Sequence, residues 1–262
     1  MAQIREPAVA GMFYPAEPEV LQQQIEVMLA QENPEQPAPK ALIVPHAGYI
    51  YSGPVAASAY AQLIPVRERI ERVVLLGPAH RVAFRGLAAT SAQYFATPLG
   101  LVRIDHEAQD AILDLPQVHV LDEAHREEHS LEVQLPFLQV TLQKDFGLVP
   151  LVVGDARAEE VAEVLERLWD GPETLILISS DLSHYHDYET ARRMDRATSA
   201  AIEQLNPQAI DHDQACGRTP VSGLLVAARH HHLGARTLDL RNSGDTAGPR
   251  DQVVGYGAYA FS

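Results

Sequence analysis

Cysteine is almost missing. Cys216 is the only one in 262 residues, so no intramolecular disulfide can form and no cysteine cluster can hold an iron–sulfur centre. Positive charge is also short. Twenty Lys and Arg stand against 35 Asp and Glu, a formal net charge of −15. So acidic a surface repels phosphate backbones, which argues against nucleic acid as a partner. Long apolar runs are lacking too. Ala41–Val44 and Leu148–Val153 are strand-length, far below the roughly 20 residues of a membrane helix. The stretch MAQIREPAVAGMFYPAEPEV has no apolar targeting core and is broken by Glu6, Pro7 and Pro15. These absences read as a soluble, cytoplasmic protein with no membrane partner. P-loop, G-x-G-x-x-G after a strand, H-E-x-x-H and G-x-S-x-G signatures are all missing.

What is present is globular in kind. Hydrophobic residues make up 46% and charged residues 21%, which excludes a disordered chain, a collagen-like repeat and a coiled coil. The length suits one α/β domain, and no linker divides residues 1–262. Branched apolar runs at Ala41–Pro45, Arg72–Gly77, Leu148–Gly154 and Thr174–Ser179 read as strands buried on both faces. Between them the period is helical: Leu21, Ile25, Met28 and Leu29 share a face, as do Val161, Val164, Leu165 and Leu168. Met194, Ala197, Ala201 and Leu205 form a third stripe. Gln31–Lys40 reads as a Pro-rich loop, and Gln252–Phe261 as a last strand with close backbone approach at its glycines. The expected fold is a central mixed sheet with helices on both faces.

Twelve histidines are the chemical signal. In open α/β sheets ligands bind beyond the carboxyl ends of the strands. Three such ends carry histidine here: ALIVPHAGY with His46, VVLLGPAH with His80, and LILISSDLSHYHDY with Asp181, His184 and His186. Alone, each reads as a solvated or capping turn residue. Together they point to a metal or catalytic site, since neutral imidazole is a common metal ligand. Cys216 precedes an apolar helical segment. It is either a small buried thiol or a ligand whose thiolate the helix dipole favours. His129 and Glu132, at i and i+3, fit either a facing pair or a helix start, and the run His125, Glu127, Glu128 and His129 reads mostly as a charged loop. His230–His232 reads as a solvated helix end.

The motifs REPAVAGMFYP, IVPHAGYIYSGPVAASAY, LLGPAH, TPLG, DEAHREEHSLEVQLPFL, PLVVGD, ISSDLSHY, ACGRTPVSGLL and GYGAYAF run nearly the whole chain. In this order they resemble the Memo family, whose bacterial and archaeal members are called AmmeMemoRadiSam system protein B. That family is similar in turn to the class III extradiol dioxygenases, which use non-haem Fe(II). The resemblance implies a class III extradiol dioxygenase-like α/β fold and a single Memo-like domain over residues 1–262. By motif it places a metal at His46, His80 and Cys216. It gives His184 an acid/base role and puts Asp181 and His129 in the same pocket. Cys216 stands where the dioxygenases carry a carboxylate, so copper and zinc enter beside Fe(II) as candidate metals, and ring cleavage does not follow from the fold. The implied partner is a small-molecule substrate or a peptide, or a radical-SAM enzyme of the same modification system. An iron-dependent oxidoreductase, a non-catalytic metal- or peptide-binding adaptor and an accessory component of a radical-SAM-associated modification system are the competing readings; a hydrolytic zinc enzyme is a weaker fourth.

Overall fold

The computed structural model describes residues 3–34 and 37–262; Glu35 and Gln36 of the expected Gln31–Lys40 loop lie outside them. The described strands are β1 (Ile4–Arg5), β2 (Ala41–Val44), β3 (Arg72–Pro78), β4 (Leu87–Ala89), β5 (Tyr94–Thr97), β6 (Gly100–Ile104), β7 (Val118–Val120), β8 (Gly147–Val153), β9 (Thr174–Ser179), β10 (His184–His186), β11 (Ala235–Asn242) and β12 (Val253–Phe261). They form a mixed sheet of order β1-β5-β6-β8-β3-β9-β2-β12-β10, with β11 on β12 and β4 and β7 branching beside β8. The four branched apolar runs are its centre. There β8, β3, β9 and β2 lie side by side and parallel, with Val74 level with Ile176 and Val44 level with Ser179.

The period of two along these strands sorts their side chains into two layers. Leu42, Val44, Val73, Leu75, Leu148, Leu175 and Leu177 face one core with the helices Pro18–Leu29, Tyr49–Tyr60 and Gln134–Leu142. Ala41, Ile43, Val74, Leu76, Val149, Leu151, Ile176 and Ile178 face the other, with the helices Ala158–Arg167 and Arg218–His230. The stripes read at Leu21/Ile25/Leu29 and Val161/Val164/Leu165 are buried as expected. The third stripe is out of phase. In the helix Tyr188–Glu203 the buried positions are Ala191, Asp195, Thr198, Ser199, Ala201 and Ile202, while Ala197 is exposed. The helix packs by its small and polar side because β12 passes close: a Cβ on Gly255 would stand 2.2 Å from Asp195. That is the close approach expected of the glycines in the last strand.

Glu132 does not face the histidine site beside His129. It is fully buried and turned toward the N-terminal segment. It accepts from Arg5, from Ala8 N at 2.8 Å, from Val9 N at 3.0 Å and from Tyr14 Oη at 2.5 Å. Four donors on one carboxylate offset its desolvation and strap residues 5–14 to the body of the molecule. His125, in the supposed charged loop, is also buried. Its Nε2 lies 2.9 Å from Ala88 O, and burial pushes its pKa down to about 4. No helix among the described residues is long and apolar enough to cross a membrane.

Replacing Glu132 with Ala leaves Arg5 buried without its counter-charge. It is expected to cost about 3–5 kcal/mol in urea unfolding, with earlier protease cutting before residue 15. His125 supplies a pH test. Its folded value lies below its unfolded value near 6.5, so between pH 6.5 and 4 the unfolded chain binds the extra proton. Stability therefore falls as pH drops through that window and levels off below it. The His125 share is at most about 3 kcal/mol, read as the difference between the wild-type and His125→Gln stability profiles.

Candidate metal centre

The sheet order places the site. Because β3, β9 and β2 are neighbours and parallel, the turns leaving their carboxyl ends emerge side by side. His46 follows β2, His80 follows β3, and Asp181 follows β9, with His184 opening β10. The His46 and His80 rings lie 5.3 Å apart, and His129 joins them at 5.5 Å and 4.7 Å, stacked on His80. Cys216 arrives from across the chain, on the turn before the helix Arg218–His230. Its Sγ is 3.4 Å from His46 Nε2. Gly217 permits this approach, because a Cβ there would meet Ser180 at 2.7 Å and Ser179 O at 2.9 Å. One ligand atom each from His46, His80 and Cys216 falls within a 4.8 Å cluster. His46 is buried, Cys216 partly so, and His80 faces solvent.

Glu128 is the member that the sequence reading missed. It is buried and accepts from His80 N at 2.6 Å, His80 Nδ1 at 2.8 Å and Ser130 N at 3.0 Å. Burial alone would raise its pKa, yet these hydrogen bonds and the His80 charge hold it down to about 2. An ionised carboxylate only accepts, so His80 Nδ1 carries a ring proton and Nε2 is the nitrogen left to meet a metal. A carboxylate behind the far nitrogen of a histidine is the usual outer shell of a metal ligand. Glu128 also stands with His80 and His129 in a second possible ligand group. With three donors already on its oxygens, it reads better as the support of His80 than as a ligand. Within the charged run, only the spacing to Ser130 at the next helix start could have hinted at it.

Asp181 ties the ligand turns together. Its Oδ1 accepts from His46 N at 2.7 Å, its Oδ2 lies 4.0 Å from His46 Nε2, and its backbone N–H points at Cys216 Sγ, 3.3 Å away. Burial raises its pKa. Burial, then the neighbouring His80 and His129 charges, also holds His46 well below its ordinary value, so its imidazole is neutral. Burial lowers His129 in the same direction; its Nδ1 lies 3.5 Å from Glu128 Oε1 and has no hydrogen-bond partner among the described residues. His184 Nδ1 donates to Leu182 O at 2.8 Å, leaving Nε2 as a lone-pair base.

The helix start is where the sequence placed it, and burial, with Asp181 beside it, pushes the Cys216 thiol up to about 12. Without a cation the thiol keeps its proton. The donor set still fits a metal ion: a His80 Nε2 left free by the Glu128 contact at Nδ1, a neutral His46, a thiol able to ionise against a cation, and only three protein ligands. His230 and His231 take no part. They pair with Glu166 at 3.1 and 2.8 Å at the end of their helix, as a solvated end predicts.

Fold and cluster together define an α/β protein with a possible mononuclear metal site at the carboxyl ends of its central strands. The sequence profile of the Memo family, described as Memo-like protein, matches residues 5–260. A MEMO1 family protein of Aquifex aeolicus (strain VF5) is 40% identical over 265 residues, covering 97% of each chain. MEMO1 family proteins of Saccharolobus islandicus (strain M.14.25 / Kamchatka #1) and Saccharolobus solfataricus (strain ATCC 35092 / DSM 1617 / JCM 11322 / P2) are 36% and 34% identical over 282 residues, each covering 98% of this chain and 99% of theirs. The chain belongs to the Memo family.

Glu128→Gln replaces one acceptor oxygen with a donor amide against three fixed donors. Metal affinity is expected to fall about 10–100-fold in a chelator-competition titration, while the far-UV circular dichroism spectrum stays that of the wild type.

Proposed function

We propose that this protein is a mononuclear metal-dependent oxidoreductase in which His46, His80 and Cys216 hold Fe(II). Copper and zinc are the alternatives that the same donors accept. The observation that carries the reading is the arrangement of the three ligand atoms within 4.8 Å, with carboxylate support behind His80. Bound there, iron would supply open positions for oxygen and a substrate oxygen, and one-electron chemistry. The chain supplies the rest. His184 Nε2, free and basic, takes a proton from a substrate hydroxyl and returns it to product. Asp181 holds the His46 backbone beside the site. His129, stacked on His80 and against Phe13 at 4.8 Å, forms a wall and offers a second ring nitrogen for proton exchange. Residues 1–262 are read as one cytoplasmic domain built around this site, acting on a small molecule.

A non-catalytic, peptide-binding reading has one observation in its favour. Met12 and Tyr185 are 72% and 71% exposed, and they are chain neighbours of Phe13 and His184. A partner peptide would find apolar contacts there.

The first test is metal content after anaerobic purification. Near-stoichiometric iron is expected in the wild type and much less in Cys216→Ala. Because the thiol is protonated without metal, about one proton should be released per ion bound, and none from that thiol in Cys216→Ala. His184→Ala should keep its iron and lose about 10²–10⁴-fold in substrate-dependent oxygen uptake. Iron without any oxygen uptake on catecholic substrates would favour the binding reading, and absence of metal after reconstitution would overturn the site.

A further inference from the structure

Behind His46 stands a chain of buried polar groups that the metal reading leaves unexplained. His46 Nδ1 is 2.9 Å from Ser179 Oγ. The same Oγ is 2.6 Å from Ser130 O and 2.8 Å from Gln134 Nε2. Gln134 Nε2 also donates to Pro45 O at 3.0 Å, while Gln134 Oε1 accepts from Tyr60 Oη at 2.7 Å. Ser179, Ser130, Gln134 and Tyr60 are each at most 1% exposed, so water cannot take over these bonds.

Donor and acceptor rules give the chain one direction. Pro45 O can only accept, so the amide of Gln134 faces it with nitrogen, which also aims a donor at Ser179 Oγ. Ser130 O can only accept, so the single hydroxyl proton of Ser179 goes there. Ser179 then has nothing left to donate, and its remaining lone pair accepts from His46. His46 therefore carries its proton on Nδ1 and shows a bare Nε2 to Cys216. The opposite tautomer would turn the Ser179 proton toward His46 and strip the buried Ser130 O of its donor.

We propose that Ser179, held by Gln134 and the Ser130 carbonyl, is a positioning residue that selects the His46 tautomer able to bind metal. Ser130 also joins the two arms of the site: its N–H binds Glu128, which orients His80, and its carbonyl takes the Ser179 proton, which orients His46. A carboxylate thus serves the solvent-facing ligand and a neutral relay the buried one. A second buried carboxylate behind His46 would need its own donors to offset its desolvation; the serine needs none beyond those already there. The value of the relay for metal binding rests on the metal-site reading above; the tautomer does not.

The test is nitrogen NMR of ¹⁵N-histidine-labelled, metal-free protein, followed by metal titration. Wild-type His46 is expected as the Nδ1–H tautomer. In Ser179→Ala the hydroxyl that accepts the Nδ1 proton is gone, and the Gln134 nitrogen that stood 2.8 Å from it can only donate, so the proton should shift to Nε2. Metal affinity should then fall about 10–100-fold. Ser179→Thr keeps the hydroxyl and should retain the wild-type tautomer. Tyr60→Phe removes a buried hydrogen bond from the same chain, but Pro45 O still orients the amide, so the tautomer should not change. A purely structural network would make Tyr60→Phe and Ser179→Ala behave alike. An Nε2–H tautomer in the wild type, which needs no variant to fold, overturns the proposal. So does an unchanged tautomer in Ser179→Ala. If the tautomers are as expected but no protein binds metal, the relay stands and the metal reading fails; the reverse result leaves the metal site without its relay.

Discussion

The parallel ladder β3-β9-β2 is the constraint on which the rest of this molecule depends. Its residues are apolar on both faces, so the strands must lie in the middle of the sheet under two layers of helices. Once they are adjacent and parallel, the turns after them leave the sheet at one edge and within a few ångströms of each other. His46, His80 and Asp181 owe their proximity to this pairing, not to any attraction among themselves. Like charges would in fact oppose it, since the neighbouring imidazoles each lower the His46 pKa.

Placing polar side chains at such an edge creates a second requirement. Each buried nitrogen and oxygen needs a partner, because an unmade hydrogen bond in the interior costs more than a made one contributes. The short helical turn His129–Glu132 meets much of that need. Its cap Glu128 holds His80, Ser130 joins both sides of the site, and Glu132 fastens the N-terminal strap. Two acidic residues four positions apart thus serve opposite sides of one turn. Phe13, on that strap, reaches back against His129, so the wall of the site depends on a contact made behind it.

Charge is arranged unevenly around the cluster. Glu128 is held ionised by its donors, whereas Cys216 and Asp181 are pushed by burial toward their protonated forms. A cation entering the candidate site would reverse the balance at the thiol, so metal binding there would be coupled to proton release.

Much of this was legible in the chain. Continuous branched runs ending in Pro or Gly marked the four central strands, because a strand buried on both faces has no polar position to show. Histidine after three of those runs pointed to the strand ends, where His46 and His80 meet Cys216 in a candidate cluster, since strand ends are where an α/β sheet exposes chemistry. Motif order identified the family. Other features depended on distance in space. Glu128 looked like one charge in a solvated run, and Glu132 looked like the partner of His129. Only the packed turn reveals that one supports His80 and the other turns away. The Cys216 position before a helix left a buried thiol and a ligand thiolate both open; desolvation, which no local pattern records, favours the protonated thiol while no cation is present. The proton on His46 is set by Ser179, Gln134 and a carbonyl from residue 130, groups up to 133 positions apart. Periodicity reports which face of an element is buried, but hydrogen-bond direction depends on every neighbour at once, and those neighbours meet only when the sheet and its helices close.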